Sequence, residues 1–337
     1  MERGGPWRAA LRRLRRDRGA VLGLSLFAAI VVFVLAAPLW AKHIADTGPN
    51  DTHTVEKVEV GGEKREVVEV DGTPLGPVWL GAGGKFFLGA DGRLGRDEMV
   101  RLMYGGRASL LIALTGALIA TAVALVLALL AGWFRGPADA VVSFLLDLIW
   151  AFPALLLGIA IGTALAIGGL QIGALSISAD SLWLPTLIGG FVFIPYIARP
   201  LRGEVLALRE QEFVKAAVAG GAGPLRVMLG ELLPNLWSTA IVLFTVNVAN
   251  VMLLEAGLSF LGVGVQAPDA SWGTMIASGF DLIYVTPLLM ILPSTMIFLT
   301  VLSLNLAGDG LGTALNPHSR ASTEAHTGRF EAGSEAA

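Results

Sequence analysis

The chain has 337 residues, 54% of them hydrophobic and only 15% charged, with a formal net charge of −3 and no cysteine. Its apolar residues fall in uncharged blocks of about 20, the length that crosses roughly 30 Å of bilayer hydrocarbon, so an integral membrane protein is expected rather than a soluble domain. The lack of cysteine excludes disulfides, thiolate metal sites and cysteine nucleophiles, and no nucleic-acid partner is expected.

Arg3, Arg8, Arg12, Arg13, Arg15, Arg16 and Arg18 precede the first apolar run, at 20–41. Its core, 21–37, exceeds the about 7–15 residues of a cleavable signal, so it reads as an uncleaved first helix whose basic leader stays in the cytoplasm. Further spans are expected at 108–132, 140–168, 182–198, 236 to about 258, and 282–306, six in all. Helices are the natural choice, because an open sheet edge is untenable in lipid and the runs lack the alternation of a barrel strand. Parity then puts Arg135, Arg199, Arg202, Arg209, Lys215 and Arg226 inside, together with a C-terminal tail, 316–337, expected to be disordered. The predicted outer loops 169–181 and 259–281 carry no Lys or Arg, in agreement.

The long outer loop, 42–107, has two parts. Residues 54–70 alternate partly between Val and charged residues around Gly61-Gly62, which predicts a two-stranded hairpin with a glycine turn. It is either a solvated hairpin or a contact for an extracytoplasmic partner. Gly89, Gly92 and Gly95 then punctuate a polar turn before Met99, Leu102 and Met103, which predict an interfacial helix delivering the chain into the second span.

Catalytic constellations are missing. The nearest phosphate-loop decoy ends in Gly84-Lys85, but Trp79 stands at the first glycine position and Phe86 at the Ser/Thr position. His43, His53, His318 and His326 lie outside the spans, with no zinc-site spacing, and no nucleophile elbow occurs. No cofactor or metal is expected, and ATP, if used, must be bound by another chain.

Residues 200–235 form the polar interruption of the second half. Pro200 is placed to open a helix over 201–219, Gly220, Gly221 and Gly223 to break it, and Pro224 to start a shorter one that stops at Leu233-Pro234-Asn235. Ala216 and Ala217 keep one face low, and Glu212 and Lys215 offer polar contacts at its edge. A plain cytoplasmic loop and a docking element fit this spacing equally well. Within the spans, Asp147, Asn247, Asn250 and Glu255 are costly in lipid, so each makes an interhelical hydrogen bond, sits near the interface, or lines a translocation path. Residues 258–272, with Gly262, Gly264 and Pro268, are expected to dip at the outer surface.

Glu212-x-x-x-Ala216-Ala217, Gly221 and Leu233-Pro234-Asn235 resemble the EAA loop of permease subunits of binding-protein-dependent ABC importers. The resemblance extends to Leu94 through Asp97, Arg101 through Leu110, Asp147 before Ala151-Phe152-Pro153-Ala154, Glu255 through Gly262, Pro268 through Gly273, and Asn305 through Leu311. These look like the dipeptide and oligopeptide branch, and the Arg-rich N-terminus with its early span is similar to that branch's extra N-terminal region. The resemblance implies an all-α membrane protein with six transmembrane helices and the type I importer fold, five of them forming the core at 108–315. It also implies two cytoplasmic ATPase subunits, a second related permease, and an extracytoplasmic solute-binding protein. Glu212, Lys215, Ala216, Ala217, Gly221, Leu233, Pro234 and Asn235 would then form the ATPase-coupling loop, with Glu231 standing where relatives commonly carry His. Peptide is the implied cargo, with nickel or another small solute as the alternative within the branch. Outside it stand an ion-coupled secondary transporter, disfavoured by the lack of an inverted repeat, and an intramembrane enzyme, for which only isolated carboxylates are present.

Overall fold

The computed structural model describes residues 12–315 apart from 93, 167–169, 173–174 and 179–180. Arg3, Arg8 and the expected tail 316–337 lie outside the described residues. Helix α1 (Arg18–Leu35) opens on Asp17, whose carboxylate accepts the N–H groups of Gly19 and Ala20 at 3.0 and 3.1 Å. Two of the donors that every helix start leaves unpaired are thereby satisfied. Short turns at Ala37–Trp40 and Ala41–Ala45 carry the chain onward to Asp46, which ends them in the left-handed conformation.

The expected hairpin is present as β1 (Lys57–Val60) and β2 (Glu63–Glu66), antiparallel with Val60 opposite Glu63. Gly61 and Gly62 have φ of 62° and 88°, the double positive φ that matches strand twist in a two-residue turn. Val67, Leu75, Val78, Phe86 and Ala90 form a small core of their own beneath it. A second, very short pair, β3 (Ala90–Asp91) and β4 (Arg96–Asp97), leads to the longest helix.

That helix, α2 (Glu98–Phe134), is continuous, so the lead-in expected before residue 108 and the span expected from it form one helix. Asp97 caps it through the Val100 N–H at 3.0 Å. Gly105 and Gly106 do not break it because tertiary packing needs them bare: a Cβ at Gly106 would lie 2.6 Å from the Trp272 ring and 2.6 Å from Val34. The third span also differs from expectation. It consists of α3 (Gly136–Trp150) and α4 (Ala154–Ala166), bent by 90° between them. Pro153 lacks a donor and disfavours helical geometry at Phe152, which accounts for the break. Between α4 and the next helix stands an unanticipated hairpin, β5 (Leu170–Ile172) with β6 (Leu175–Ile177).

Helices α5 (Trp183–Val192) and α6 (Ile194–Arg209) together make one span. Pro200 lies inside α6 and does not open it; the helix ends at Arg209, ten residues before the expected end at 219. After Glu210 and Gln211 comes α7 (Glu212–Ala219), then a turn at Pro224–Val227 and a π turn at Met228–Leu232, running directly into α8 (Leu233–Phe260). Leu233-Pro234-Asn235 is therefore no stop: the wide π turn falls immediately before Pro234, where the helix loses one donor, and the chain continues. The segment expected to dip, 258–272, takes in the end of α8 and the turn after it and leads into α9 (Trp272–Phe280), which has a capping box between Ser271 and Thr274; α10 (Leu288–Leu315) completes the set.

Among the described residues, five helical stretches are long and apolar enough to cross a membrane, and the bent α3–α4 pair makes six. α2 is their axis. Ala113, Ala117, Ala120, Ala124 and Ala128 are almost wholly buried along it, so neighbouring backbones approach closely. At Gly116, a Cβ would lie 3.1 Å from the Thr186 carbonyl of α5; at Gly132, it would lie 2.4 Å from Val205 of α6. The first and last helices meet in the same way, Gly23 against the Ser303 carbonyl and Gly310 against Ala20.

Candidate functional site

Helix α7 is anchored through one face and bare on the other. Val214 is buried and Ala217 packs partly against the main core, whereas Glu212, Phe213, Lys215, Ala216 and Val218 are exposed. Its end is a Schellman motif: the Ala222 N–H donates to the Ala217 carbonyl at 3.0 Å and the Gly221 N–H to Val218 at 2.9 Å. Gly221 sits at φ 84°, which only glycine adopts without strain, and no other group lies within 4 Å of where its Cβ would be. Gly223 and Pro224 then start the next helical turn, anchored by buried Val227, Met228 and Leu232. Leu233 is half-buried at the head of α8, Pro234 and Asn235 are exposed, and the Asn235 side chain donates to the Glu231 carbonyl at 2.7 Å. The expected docking residues thus lie along one bent segment, the corner 212–235, in which Glu212, Lys215, Ala216, Gly221, Pro234 and Asn235 are exposed.

Charged residues tie the chain just before this corner to the end of α2 and the start of α3. Arg209 donates to the Trp133 carbonyl at 2.6 Å and lies over the Trp133 ring, complementing the negative end of α2. Arg135 pairs with Glu210 at 2.7 Å and Lys215 approaches the same carboxylate at 3.6 Å. The hydrogen bond and charge of Arg135, then the charge of Lys215, hold the Glu210 carboxyl below its usual range. Arg202 grips Asp139 through two bonds, at 2.5 and 2.6 Å.

The intramembrane polar residues divide. Glu255 is 1% exposed; it accepts from Ser109 at 3.0 Å and Ser259 at 2.7 Å, while the Ser hydroxyls accept the N–H groups of Trp272 and Val265. One carboxylate therefore joins α2, α8, the turn after it and the head of α9. The Trp272 ring N–H adds a bond to the Leu102 carbonyl at 2.9 Å. Asn247 is buried with neither side-chain atom partnered among the described residues, and Asn250 is half-buried. Asp147 is different: it pairs with Arg199, yet its side chain is 66% exposed and that of Arg199 37%. A charge held against lipid at mid-bilayer costs roughly 2.5–3.5 kcal/mol on insertion scales.

Reading by single segments missed these cross-helix partners. Asp139 and Asp147 are eight residues apart and Arg199 and Arg202 three, so each pair shares a helix face, which was the available signal. The Arg101 cluster carried none: the residue is 3% exposed and reaches the Pro49 carbonyl at 2.9 Å, Asn50 at 3.1 Å and Asp91 at 3.2 Å, partners brought to it by the folded outer loop.

The spans describe a helical, multi-pass membrane protein, and comparison places it among transport subunits. The family model "Binding-protein-dependent transport system inner membrane component" matches residues 124–321, and "N-terminal TM domain of oligopeptide transport permease C" matches 5–54. A putative peptide permease protein of Brucella ovis is 31% identical over 93% of this chain and 91% of its own length. The dipeptide transport system permease protein DppC of Alkalihalophilus pseudofirmus is 32% identical over 93% and 90%. The glutathione transport system permease protein GsiD of Pectobacterium atrosepticum is 30% identical over 93% and 91%. In fold, the chain is similar to a solved inward-facing form of the MetNI methionine ABC transporter, with TM-score 0.53 and 18% identity over 65% of this chain and 97% of that one. The chain belongs to the family of inner membrane components of binding-protein-dependent transport systems. It is a multi-pass permease subunit of an ABC importer, not an enzyme.

Proposed function

We propose that the chain moves small peptides inward as one of two related permeases, with its 212–235 corner seated on a cytoplasmic ATPase and its opposite end facing an extracytoplasmic peptide-binding protein. The observation that carries this reading is the α7 corner, where Glu212, Lys215 and Ala216 form an exposed face stiffened from behind by Val214 and Ala217. A rigid, low face of this kind accepts a groove and transmits its displacement. Gly221 sets the bend, and Leu233, Pro234 and Asn235 hold the base where the corner joins a membrane-crossing helix. Orientation follows from the arginines before α1 and from Arg135, Arg209 and Arg226 at the corner's end, which the positive-inside rule places in the cytoplasm. Relatives named for peptide, dipeptide and glutathione transport support a peptide cargo.

The test is uptake of labelled dipeptide into vesicles holding this chain with its partner permease, ATPases and binding protein. Uptake requires ATP and all four kinds of subunit, and it persists when ion gradients are collapsed. Uptake driven by an ion gradient without the ATPases would overturn the reading.

A further inference from the structure

The pair of Asp147 on α3 and Arg199 on α6 differs from the anchoring contacts around it in its exposure. Both residues lie in stretches long and apolar enough to cross a membrane: the α5–α6 stretch runs to Arg209, eleven residues beyond the span end expected at 198, and so takes in Arg199, and α3 belongs to the bent pair. On α3, Val141, Phe144, Leu145 and Leu148 are exposed as well as Asp147. An ion pair open on its free side does not persist against lipid tails; it persists where water or a polar solute reaches it. The other Asp–Arg pair of these two helices, Asp139 with Arg202, is less exposed and joined by two bonds, which suits a brace.

Aromatic surface completes the feature. The Arg199 guanidinium lies 4.5 Å from the centre of the Trp150 ring, Trp150 stacks on Tyr196 at 4.3 Å, and both rings are exposed. Trp150 is the last residue of α3, immediately before the 90° bend, so the pair sits in the angle of a broken span. Broken spans place polar groups beside cavities, where the interrupted backbone also needs solvent.

We propose that Asp147 and Arg199 form a contact point for a zwitterionic solute on the translocation pathway: the carboxylate receives the solute's ammonium group and the guanidinium its carboxylate. A planar, two-pronged donor suits a carboxylate, and the acidic partner keeps the empty site neutral. A peptide's free termini are such a zwitterion, so the proposal rests on the peptide-importer reading and gives it a site.

The complete importer in vesicles is used for the test. Asp147→Asn and Arg199→Gln each lower the maximal ATP-driven dipeptide uptake by about tenfold or more, while both variants still copurify with the ATPases. The double variant Asp147→Asn/Arg199→Gln is as poor as either single. Because the chain has no cysteine of its own, Leu148→Cys in a complex otherwise freed of thiols reports exposure: it reacts with a charged, membrane-impermeant thiol reagent, and transported dipeptide slows the reaction. Recovery of uptake in the double variant would mark a pair that only braces two helices, and an unreactive Leu148→Cys would mark a face turned to lipid; either overturns the proposal. A wild-type complex that takes up no peptide refutes the cargo reading itself, whereas normal wild-type uptake with unaffected variants refutes only the site.

Discussion

Replacing Gly221 with Val tests the coupling corner through a single backbone angle. At φ 84° an L-residue suffers contact between its own Cβ and the adjacent carbonyl, a cost of about 1–2 kcal/mol, felt most by a β-branched side chain. Nothing in the chain lies within 4 Å of the new Cβ, so no packing term adds to that strain. The native bend therefore loses about 1–2 kcal/mol against an unwound α7 end, a factor of about 5–30 in the population able to dock. Titrating labelled ATPase onto the detergent-solubilised permease pair should show an apparent dissociation constant raised by that factor, with membrane insertion unchanged. Asn tolerates this conformation, so Gly221→Asn should retain most of the affinity. Wild-type affinity in Gly221→Val, or equal loss in Gly221→Asn, would refute the argument that the φ angle is what matters.

Three further outcomes follow from packing and charge. Gly132→Val drives a side chain into Val205, 2.4 Å from the ideal Cβ; it should cost about 1–3 kcal/mol, seen as a lower detergent melting temperature, and Val205→Ala should recover part of it. Glu255→Ala strands the hydroxyls of Ser109 and Ser259, so protease cleavage in 261–271 should accelerate, whereas cleavage unchanged from wild type would count against the knot. Burial raises the Glu56 carboxyl, but the bond and charge of Lys85 and the charge of His53 outweigh it and hold the group below its usual range. The stabilisation from this pairing is present above the ordinary carboxylate pKa and is lost as pH falls below about 4. Acid-protease cleavage of hairpin 57–66 should therefore step up there in wild type and not in Glu56→Gln, and a step retained in the variant would exclude Glu56 as its source.

What the sequence disclosed was set locally or by composition. Gly61-Gly62 and Gly221 name their turns because positive φ is a property of the residue itself, and long apolar blocks reveal the spans because lipid demands them. Tertiary packing decided the rest. Pro200 satisfies the rule for a helix start, but buried Ile197, Ala198, Leu201 and Val205 carry α6 across it. Pro234 obeys the rule for a stop, yet buried Leu232 and Leu236 hold the chain in register through the π turn. Pro153 broke a span that hydropathy alone drew as straight. At the site, the corner residues were legible as a contiguous motif, whereas the partners of Asp147 and Glu255 lie 52 and 146 residues away and required the fold.

The unbroken length of α2 has a mechanical meaning. Its 37 residues contain no proline and extend about 55 Å. One end is held by Arg209 and, through Arg135, by the Glu210 link to the corner; the other carries Arg101 and the Leu102 carbonyl that grips Trp272. A rod of that length converts each degree of tilt into about 1 Å of relative travel between its ends. Were α2 to tilt about the glycine-and-alanine crossing near Gly116, midway along it, a small stroke at the end beside Arg209 would appear undiminished, in the opposite direction, at the end beside Trp272.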